Sequence, residues 1–518
     1  MNQTTLCVPL DVNPDSCARL VSLIEALKQQ EDDRTDKSKP NFARLIERVP
    51  LLHCMSMSVF LDADYDPIFI IEANFDGPPG PFWAQLEALI GENLRHMIRC
   101  CKRPRDSTSE LYDVVTGRSS IGSIAPYLEA RTQSPSVFHH GNRGLTRAQI
   151  FAEQRLFLDL AREIDPPRGA SPYRGIPADQ THQKLRTAML ALPNGPHAWL
   201  RDQAQPRISA WENAADKAKL GAFAIFVLAL LATPGLLLVG LDPGPEIGWT
   251  VAILCLLVLL LLAGRAIADR PVASAGALTG AASVAVGWLA IWADIGRGWL
   301  LVVMALSSVV FVLAVLVLWL RGLELRDSAQ DSPVLNERIR RKMLRREDWV
   351  TQNHMGSIVL IKPGVLRAIL IHVGHWGLNL LLKARIDSRA GYLGSMRTVH
   401  FAHWAFLNND SRLLFCSNFD HSWDSYLDDF IEKAHGGLTL AWSCGVGFPP
   451  TRLLLGEGAT QGRKFKSWAL ASRTVSRFWF SAYPDLTVDQ IERHHRIANG
   501  LRKAQLTKPE ALQWMRDL

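Results

Sequence analysis

Four long apolar stretches dominate the pattern of hydrophobic and polar positions along the 518-residue chain. Each has about the 20 residues that an α-helix needs to cross ~30 Å of hydrocarbon. None contains a charged residue, although the third is rich in Gly, Ala and Ser. The stretches are Leu220–Val239, Ile247–Gly264, Val272–Trp292 and Trp299–Leu320. This pattern predicts four transmembrane helices in an integral membrane protein, with the lipid bilayer as its partner.

Lysine and arginine residues near the stretches predict the side on which the chain begins and ends, because positively charged flanks stay in the cytoplasm. The predicted inner flanks contain Lys217, Lys219, Arg265, Arg270, Arg321 and Arg326, whereas the two outer loops contain only Arg297. Both termini and both soluble segments are therefore expected in the cytoplasm, and the spans in a cytoplasmic or inner membrane.

A basic run follows the fourth stretch. It is expected to contact anionic lipid headgroups, and the alternative is a solvated helix that acts only as a topology signal. Its cations are Arg338, Arg340, Arg341, Lys342, Arg345 and Arg346.

The two soluble segments resemble each other. Pro67–Ile90 aligns with Ser411–Ile431, and in both an Asn-Phe-Asp follows an apolar strand. Downstream, Phe138–Arg162 aligns with Phe480–Arg502 around a shared Leu-Thr. The matches keep the same order and nearly the same offset, which indicates an internal repeat.

Each copy alternates apolar runs of period two with amphipathic helical runs in the order βαββαβ, the ferredoxin-like pattern. We therefore predict an α+β protein with two tandem ferredoxin-like domains separated by four transmembrane helices. The predicted divisions are a first domain at 1–165, a linker at 166–216, the membrane region at 217–322, a basic linker at 323–350, a second domain at 351–505 and a tail at 506–518. Because each copy alone would expose one apolar sheet face, the two sheets are expected to pair.

Composition narrows the class of function. The share of hydrophobic residues, 48%, fits a chain that is part soluble and part membrane. The basic flanks account for most of the net charge of +7, so no nucleic-acid partner is expected. Eight cysteines without CxxC spacing indicate reduced thiols, and the N-terminus has no secretory signal pattern. The sequence contains no Walker, Rossmann, GxSxG or HExxH motif and no ionisable residue deep in a span, which argues against nucleotide-driven, hydrolase and transport functions.

The repeated Asn-Phe-Asp supplies the candidate catalytic residues, Asn74, Asp76, Asn418 and Asp420. One interpretation is that these side chains face a shared cleft. The other is that each Asp orders its own turn by bonding to nearby backbone. Both interpretations fit a duplication, so the sequence leaves both open.

Histidines are the candidate cofactor ligands, foremost His400 and His403. A spacing of three on a strand places two residues on opposite faces, so at most one of the pair is expected in the core. His53 aligns with His400, which favours a shared structural place. His372 and His375 share a helix face but lack a third ligand nearby, and no metal site is predicted.

Two ferredoxin-like copies with a strand leading into Ala73-Asn74-Phe75-Asp76-Gly77 resemble the dimeric α+β barrel superfamily, which includes dye-decolourising peroxidases and chlorite dismutases. Dye-decolourising peroxidases carry a GxxDG motif whose Asp acts on the distal side of haem, and Asp76-Gly77 matches its last two positions. Ala73 replaces the first glycine, and Asp420 is followed by His421. The resemblance implies haem, with His400 and His403 as the nearest ligands, while the residues alone leave the cofactor unknown.

Two classes of function follow. The first is a membrane-tethered, peroxidase-like oxidoreductase that acts on an apolar substrate from the bilayer. The alternative is a non-catalytic, membrane-anchored binding or scaffold module. Gly276 and Gly280 form a GxxxG in the third stretch, which packs either within the four-helix bundle or in a homo-oligomer.

Overall fold

The computed structural model describes residues 3–32, 44–61, 65–117, 122–167, 170–204, 206–329, 350–384 and 396–518, together with Glu337, Arg341, Arg345 and Glu347. Four of the cations predicted to contact lipid lie outside the described residues, namely Arg338, Arg340, Lys342 and Arg346.

The segment before the membrane region alternates strands and helices as the repeat predicts. In chain order it forms β1 (Gln3–Asp11), α1 (Cys17–Asp32), α2 (Arg44–Arg48), β2 (Leu52–Phe60), β3 (Ile68–Asp76), α3 (Pro79–Ile98), α4 (Ser109–Thr116), α5 (Ala125–Ala130), β4 (Val137–His140), α6 (Arg147–Ile164) and α7 (Ala178–Leu190).

Four apolar helices contain the four predicted stretches and extend a few residues beyond them. They are α8 (Ala210–Gly240), α9 (Pro245–Arg265), α10 (Arg270–Trp292) and α11 (Arg297–Glu324). Gly276 and Gly280 pack inside this bundle, because a Cβ on Gly276 would lie 2.9 Å from Leu318 Cγ and one on Gly280 would lie 2.7 Å from Leu259 Cδ2. The Ser308 hydroxyl donates to the Leu231 carbonyl at 2.8 Å and joins α11 to α8.

The segment after the membrane region repeats the order. It forms β5 (Gln352–Leu360), α12 (Val365–Ala384), β6 (Val399–Leu407), β7 (Arg412–Asp420), α13 (Trp423–Trp442), β8 (Thr451–Arg452), β9 (Gly456–Glu457), α14 (Gly462–Ser472), β10 (Arg473–Thr474), β11 (Phe478–Ser481), α15 (Val488–Arg502) and α16 (Lys508–Met515). Helix α12 is also long and apolar enough to cross a membrane, so five such helices occur among the described residues.

The strands form two main sheets, with the orders β1-β3-β2-β11 and β10-β5-β7-β6-β4. The last strand of each copy therefore pairs with the other copy: β4 lies antiparallel to β6, and β11 lies antiparallel to β2. Just before each exchange the chain contacts its own first strand, through the Cys7–Gln133 bridge in one copy and β10 on β5 in the other. At each exchange the chain thus passes from one sheet to the other, an arrangement that the sequence did not predict.

Alternate residues of each long strand serve two cores. In β3, Phe69, Ile71 and Phe75 pack beneath the helices of the first copy. Ile70 points the other way and joins a cluster with Leu414 of the second copy. The two sheets therefore lie face to face with apolar side chains between them, as the exposed sheet faces of the separate copies led us to expect.

Two segments predicted as a linker and a tail fold onto the soluble part. Leu185 and Met189 of α7 are buried with Leu501 of α15 and Trp514 of α16 in a third core. These two segments are therefore part of the folded soluble structure.

The bundle and the second copy are joined by a polar contact. The Glu324 carboxylate at the end of α11 accepts from the Thr451 hydroxyl at 2.8 Å and from the backbone N–H groups of Leu453 and Leu454 at 3.0 Å each. Next to it, Arg321 pairs with Asp269 at 2.7 Å. A buried carboxylate with several donors is well compensated, so this contact holds the two parts in one orientation.

Candidate functional site

The space between the two sheets contains a buried polar cluster at one end. The alternation that points Ile70 inward also points Glu72, Asn74 and Asp76 inward, and on β7 it does the same for Cys416, Asn418 and Asp420. We call Glu72, His354, His403 and Cys416 the Glu72 cluster. Each of its members has 8% or less of its surface exposed.

Three of the four members lie at ligand distance from one another. One ligand atom each from Glu72, His354 and Cys416 falls within 4.8 Å of the other two. Glu72 Oε2 is 2.7 Å from His354 Nε2, and Glu72 Oε1 is 3.8 Å from His403 Nδ1. Both ring nitrogens of His403 lack a hydrogen-bond partner among the described residues. A fully buried, unpartnered imidazole is costly, and this one lies beside a carboxylate.

The charge states inside the cluster follow from its surroundings. Burial by itself would raise the pKa of Glu72, but the attraction of His354, its hydrogen bond and the nearby His403 outweigh burial and hold the pKa at about 2. Burial lowers the pKa of His403, although Glu72 opposes that effect. Burial, followed by repulsion from Glu72 and Cys7, raises the pKa of the Cys416 thiol. The cluster thus offers a carboxylate, a neutral imidazole and a thiol.

The cluster lies where the two copies meet. Glu72 stands four residues before Asp76, and Cys416 stands four residues before Asp420, so the repeat makes Glu72 and Cys416 equivalent positions. Equivalent residues can approach this closely only near the axis that relates the two copies. By strand register, His354 corresponds to Thr5 and His403 to Ser56. The second copy therefore supplies both imidazoles. The two copies have equivalent strands, but they do not contribute equivalent side chains to the cluster.

Asn74 and Asn418 border the cluster on either side. The Asn74 and Asn418 amides both donate to Glu72 Oε1, at 3.0 and 3.2 Å. The Ser56 hydroxyl donates to the other oxygen at 2.8 Å. These three bonds orient the Glu72 carboxylate, so the two asparagines predicted as catalytic are brought together but act on a neighbour.

Asp76 and Asp420 contact the starts of two helices and are not members of the Glu72 cluster. Asp420 Oδ2 accepts from the backbone N–H of Val488 at 2.9 Å, and Asp420 Oδ1 accepts from His400 at 2.8 Å. Asp76 Oδ2 likewise accepts from the backbone N–H of Arg147 at 2.8 Å. Arg147 and Val488 are the first residues of α6 and α15, where free N–H groups attract anions. Each Asp therefore caps a distant helix instead of ordering its own turn.

The histidines paired with these aspartates occupy equivalent β-bulges. The register of β2 shifts between Leu52 and Cys54, and that of β6 shifts between Val399 and Phe401. His53 and His400 are the extra residues, and His53 Nε2 lies 3.0 Å from Asp76 Oδ1. A bulge breaks the alternation of faces, so His400 and His403 both reach the space between the sheets. The expectation that they lie on opposite faces was wrong.

The residues that the resemblance assigned to haem do not fit that group. Both carboxylate oxygens of Asp420 are engaged, and His400 Nε2 is engaged by Asp420. His403 faces Glu72 across 3.8 Å, which leaves no space for a porphyrin between them. His372 pairs with Asp410 at 3.1 Å, whereas the ring of His375 bonds to the Ser136 hydroxyl at 2.8 Å, so these two do not form a joint site.

Sequence reasoning missed three members of the Glu72 cluster. Glu72 is the one acidic residue inside the strand Ile68–Ala73, and its spacing of two from Asn74 and four from Asp76 places all three on one strand face. That spacing was the available signal. His354 and Cys416 carry no local signal, since each is a single residue in its own strand.

Comparison of the chain with protein-family models, with curated proteins and with solved structures found no match in any of the three.

Proposed function

We propose that this chain is a membrane-anchored metal-binding module in which two paired α+β copies hold one transition-metal ion in the Glu72 cluster. The carrying observation is that three buried ligand atoms from Glu72, His354 and Cys416 lie within 4.8 Å of one another beside the unpartnered His403. The face-to-face packing of the two antiparallel sheets supports the resemblance to the dimeric α+β barrel superfamily.

The donor set defines the class of metal. Carboxylate oxygen, imidazole nitrogen and thiolate sulfur together suit Zn²⁺ or Fe²⁺, and four such ligands around zinc lie about 3.4–3.8 Å apart. To reach that geometry Glu72 Oε2 and His354 Nε2, now 2.7 Å apart, would have to separate, and the wider pairs of the cluster would have to close. Asn74, Asn418 and Ser56 would orient the carboxylate as outer partners.

Because the ligand atoms of the Glu72 cluster are buried, the cluster is suited to binding an ion and not to converting a bulky substrate. Glu72, His403 and Cys416 are 2% exposed or less, and His354 borders only a charged cavity, so an apolar molecule from the bilayer has no direct contact with the ligand atoms. The same residues are also compatible with a metal-free ion pair between Glu72 and His354. An experiment must therefore distinguish a bound metal ion from this ion pair.

The test uses the full chain purified in a mild detergent, stripped with a chelator and then titrated with Zn²⁺ or Co²⁺. We expect one tightly bound ion per chain and, with Co²⁺, a thiolate-to-metal charge-transfer band in the near ultraviolet. Cys416→Ser and Glu72→Gln should lose the band. Cys444→Ser, which removes a buried thiol from a different core, should keep it.

Equal metal binding by wild type, Cys416→Ser and Glu72→Gln would contradict the proposal. The same absorbance spectra also test the oxidoreductase hypothesis, because a Soret band after haem addition would restore it.

We further propose that four helices span the membrane and that α12 lies along its cytoplasmic surface. The α12 residue Arg367 pairs with Asp327 at 2.5 Å, just beyond the end of α11. The Lys383 carbonyl near the other end of α12 accepts from Arg143, which also pairs with Asp216 in the first turns of α8. In an up-and-down bundle the start of α8 and the end of α11 lie on the same side, so α12 is tied to one side at both of its ends.

The outward stripe of α12 fits such a placement. Val365, Ile369 and Trp376 are exposed at helical spacing, and Trp376 packs on Phe223 of α8 at 4.8 Å between ring centroids. Reporter fusions at residues 1 and 518 should agree with each other and differ from one in the loop at Asp242. Opposite sides for the two termini would indicate an odd number of spans and contradict this topology.

A further inference from the structure

A large charged cavity lies next to the Glu72 cluster. It encloses about 990 Å³ between α1, the segment that contains Arg341 and Arg345, and the chain that joins β10 to β11. His354 and Ser476 form part of its floor. The His354 ring bonds to Ser476 through Nδ1 and to Glu72 through Nε2, so one side chain contacts both the cavity and the cluster.

Among the described residues that line this cavity, cations outnumber acids. Lys28, Arg341, Arg345, Arg473 and Arg477 line the cavity against three acidic side chains. Three of the cations have acidic partners: Arg473 pairs with Glu347 at 2.5 Å, Arg477 with Glu25 at 3.1 Å and Lys28 with Asp32 at 3.8 Å. Arg341 and Arg345 form no ion pair with any described residue.

The two arginines are positioned to act together. Arg341 and Arg345 are both helical, stand four positions apart in the chain and line the same cavity. Glu347 anchors this segment, because its carboxylate binds Arg473 and accepts from the backbone N–H of Trp423 at the start of α13. Both side chains of the ion pair between Arg473 and Glu347 are 4% exposed or less. Glu347, two residues after Arg345, is therefore attached to the folded second copy.

We propose that this cavity binds a phosphate-bearing anion through Arg341 and Arg345. Arginine side chains bind phosphate with paired, charge-assisted hydrogen bonds. Arg341 Nε donates to the Glu337 carbonyl at 3.4 Å, but neither guanidinium forms an ion pair with a described residue, so the two together match a group that carries two negative charges. A cavity of this volume accommodates a small phosphorylated molecule or one lipid headgroup. Only the link from the anion to the metal through His354 rests on the proposed function, since the arginines bind phosphate whether or not the cluster holds a metal.

The test measures binding of inorganic pyrophosphate to the full chain in neutral detergent by isothermal titration calorimetry. Arg341→Gln with Arg345→Gln should weaken binding by about a hundredfold, at about tenfold for each lost charged bond. Arg326→Gln is the matched control, because Arg326 is an exposed cation at the end of α11 that does not line the cavity. It should bind like wild type.

A second arm separates the sources of the phosphate. Nanodiscs of phosphatidylglycerol and of phosphatidylcholine are compared for protection of Arg341 and Arg345 from guanidinium-modifying reagents. Protection by phosphatidylglycerol without binding of pyrophosphate assigns the site to a lipid headgroup, whereas the reverse assigns it to a soluble phosphate. Neither effect, or unchanged pyrophosphate affinity in the double variant, would overturn the proposal.

The metal and anion proposals fail separately. Cys416→Ser should lose the metal but bind pyrophosphate with wild-type affinity, since the thiol does not line the cavity. If this variant also lost pyrophosphate, the anion would be held by the metal and not by the two arginines, and the inference would be wrong. If wild type binds pyrophosphate but no metal, only the metal proposal is lost.

Discussion

Replacing Asp420 separates a structural role from a role in chemistry. The carboxylate is 1% exposed and accepts two hydrogen bonds, from the Val488 backbone and from His400. Asp420→Ala removes both acceptors and leaves two buried N–H groups unpaired. At about 1.5–3 kcal/mol for each bond to a charged group, the loss is about 3–6 kcal/mol of the free energy of unfolding. Asp420→Asn should cost less, because its amide can still accept from Val488 and donate to the other tautomer of His400.

The assay is thermal unfolding of the full chain in detergent, followed by tryptophan fluorescence. A loss of 3 kcal/mol or more corresponds to a fall in the midpoint of roughly 6 °C or more for an unfolding unit of about 150–250 residues. Amide exchange should also quicken in the first turn of α15, which Asp420 caps. Asp424→Ala, an exposed acid in the first turn of α13, is the control and should change the midpoint little.

Metal and pyrophosphate binding give the second readout. If Asp420 is structural, the folded fraction of Asp420→Ala should bind both as wild type does. A midpoint within about 2 °C of wild type, together with lost binding, would refute the structural account and return Asp420 to the candidate site.

Two further predictions follow from the fold. Burial lowers the pKa of His139 to about 4 from its ordinary value near 6.5, so the unfolded chain binds the proton more readily and stability should fall as the pH drops from 6.5 towards 4. At pH 5 His139 lowers the free energy of unfolding by about 2 kcal/mol relative to pH 7.5. His139→Phe, which copies the equivalent Phe480, should abolish this contribution to the pH dependence. If the difference in melting midpoint between pH 7.5 and pH 5 is the same in the variant and in wild type, the prediction is wrong. The exchanged strands predict that residues 1–209 made alone aggregate, because their core includes Phe478 and Phe480 of β11, and that the same fragment co-expressed with residues 210–518 is recovered as a complex with them in detergent; a well-folded, monomeric fragment 1–209 would disprove the exchange.

Features that depend on residues close together in the chain were predictable from the sequence. A membrane helix satisfies its own backbone hydrogen bonds within one uncharged stretch, so α8 to α11 were predictable from composition and length. The period-two runs likewise predicted β2, β3, β6 and β7. The threonines of the shared Leu-Thr, Thr146 and Thr487, cap α6 and α15, where both accept from the backbone N–H three residues on, as threonine commonly does at a helix start. The face-to-face pairing followed from the exposed sheet faces.

Features that depend on contacts between residues far apart in the chain were visible only in the folded protein. The exchange of β4 and β11 has no sequence signal, because an edge strand pairs through backbone groups that every residue shares. The bulge at His400 reversed the expected face of one residue and brought both histidines inward. The Glu72 cluster joins residues from four strands, β3, β5, β6 and β7, and no spacing along the chain records that Glu72 and Cys416 meet near the axis of the repeat.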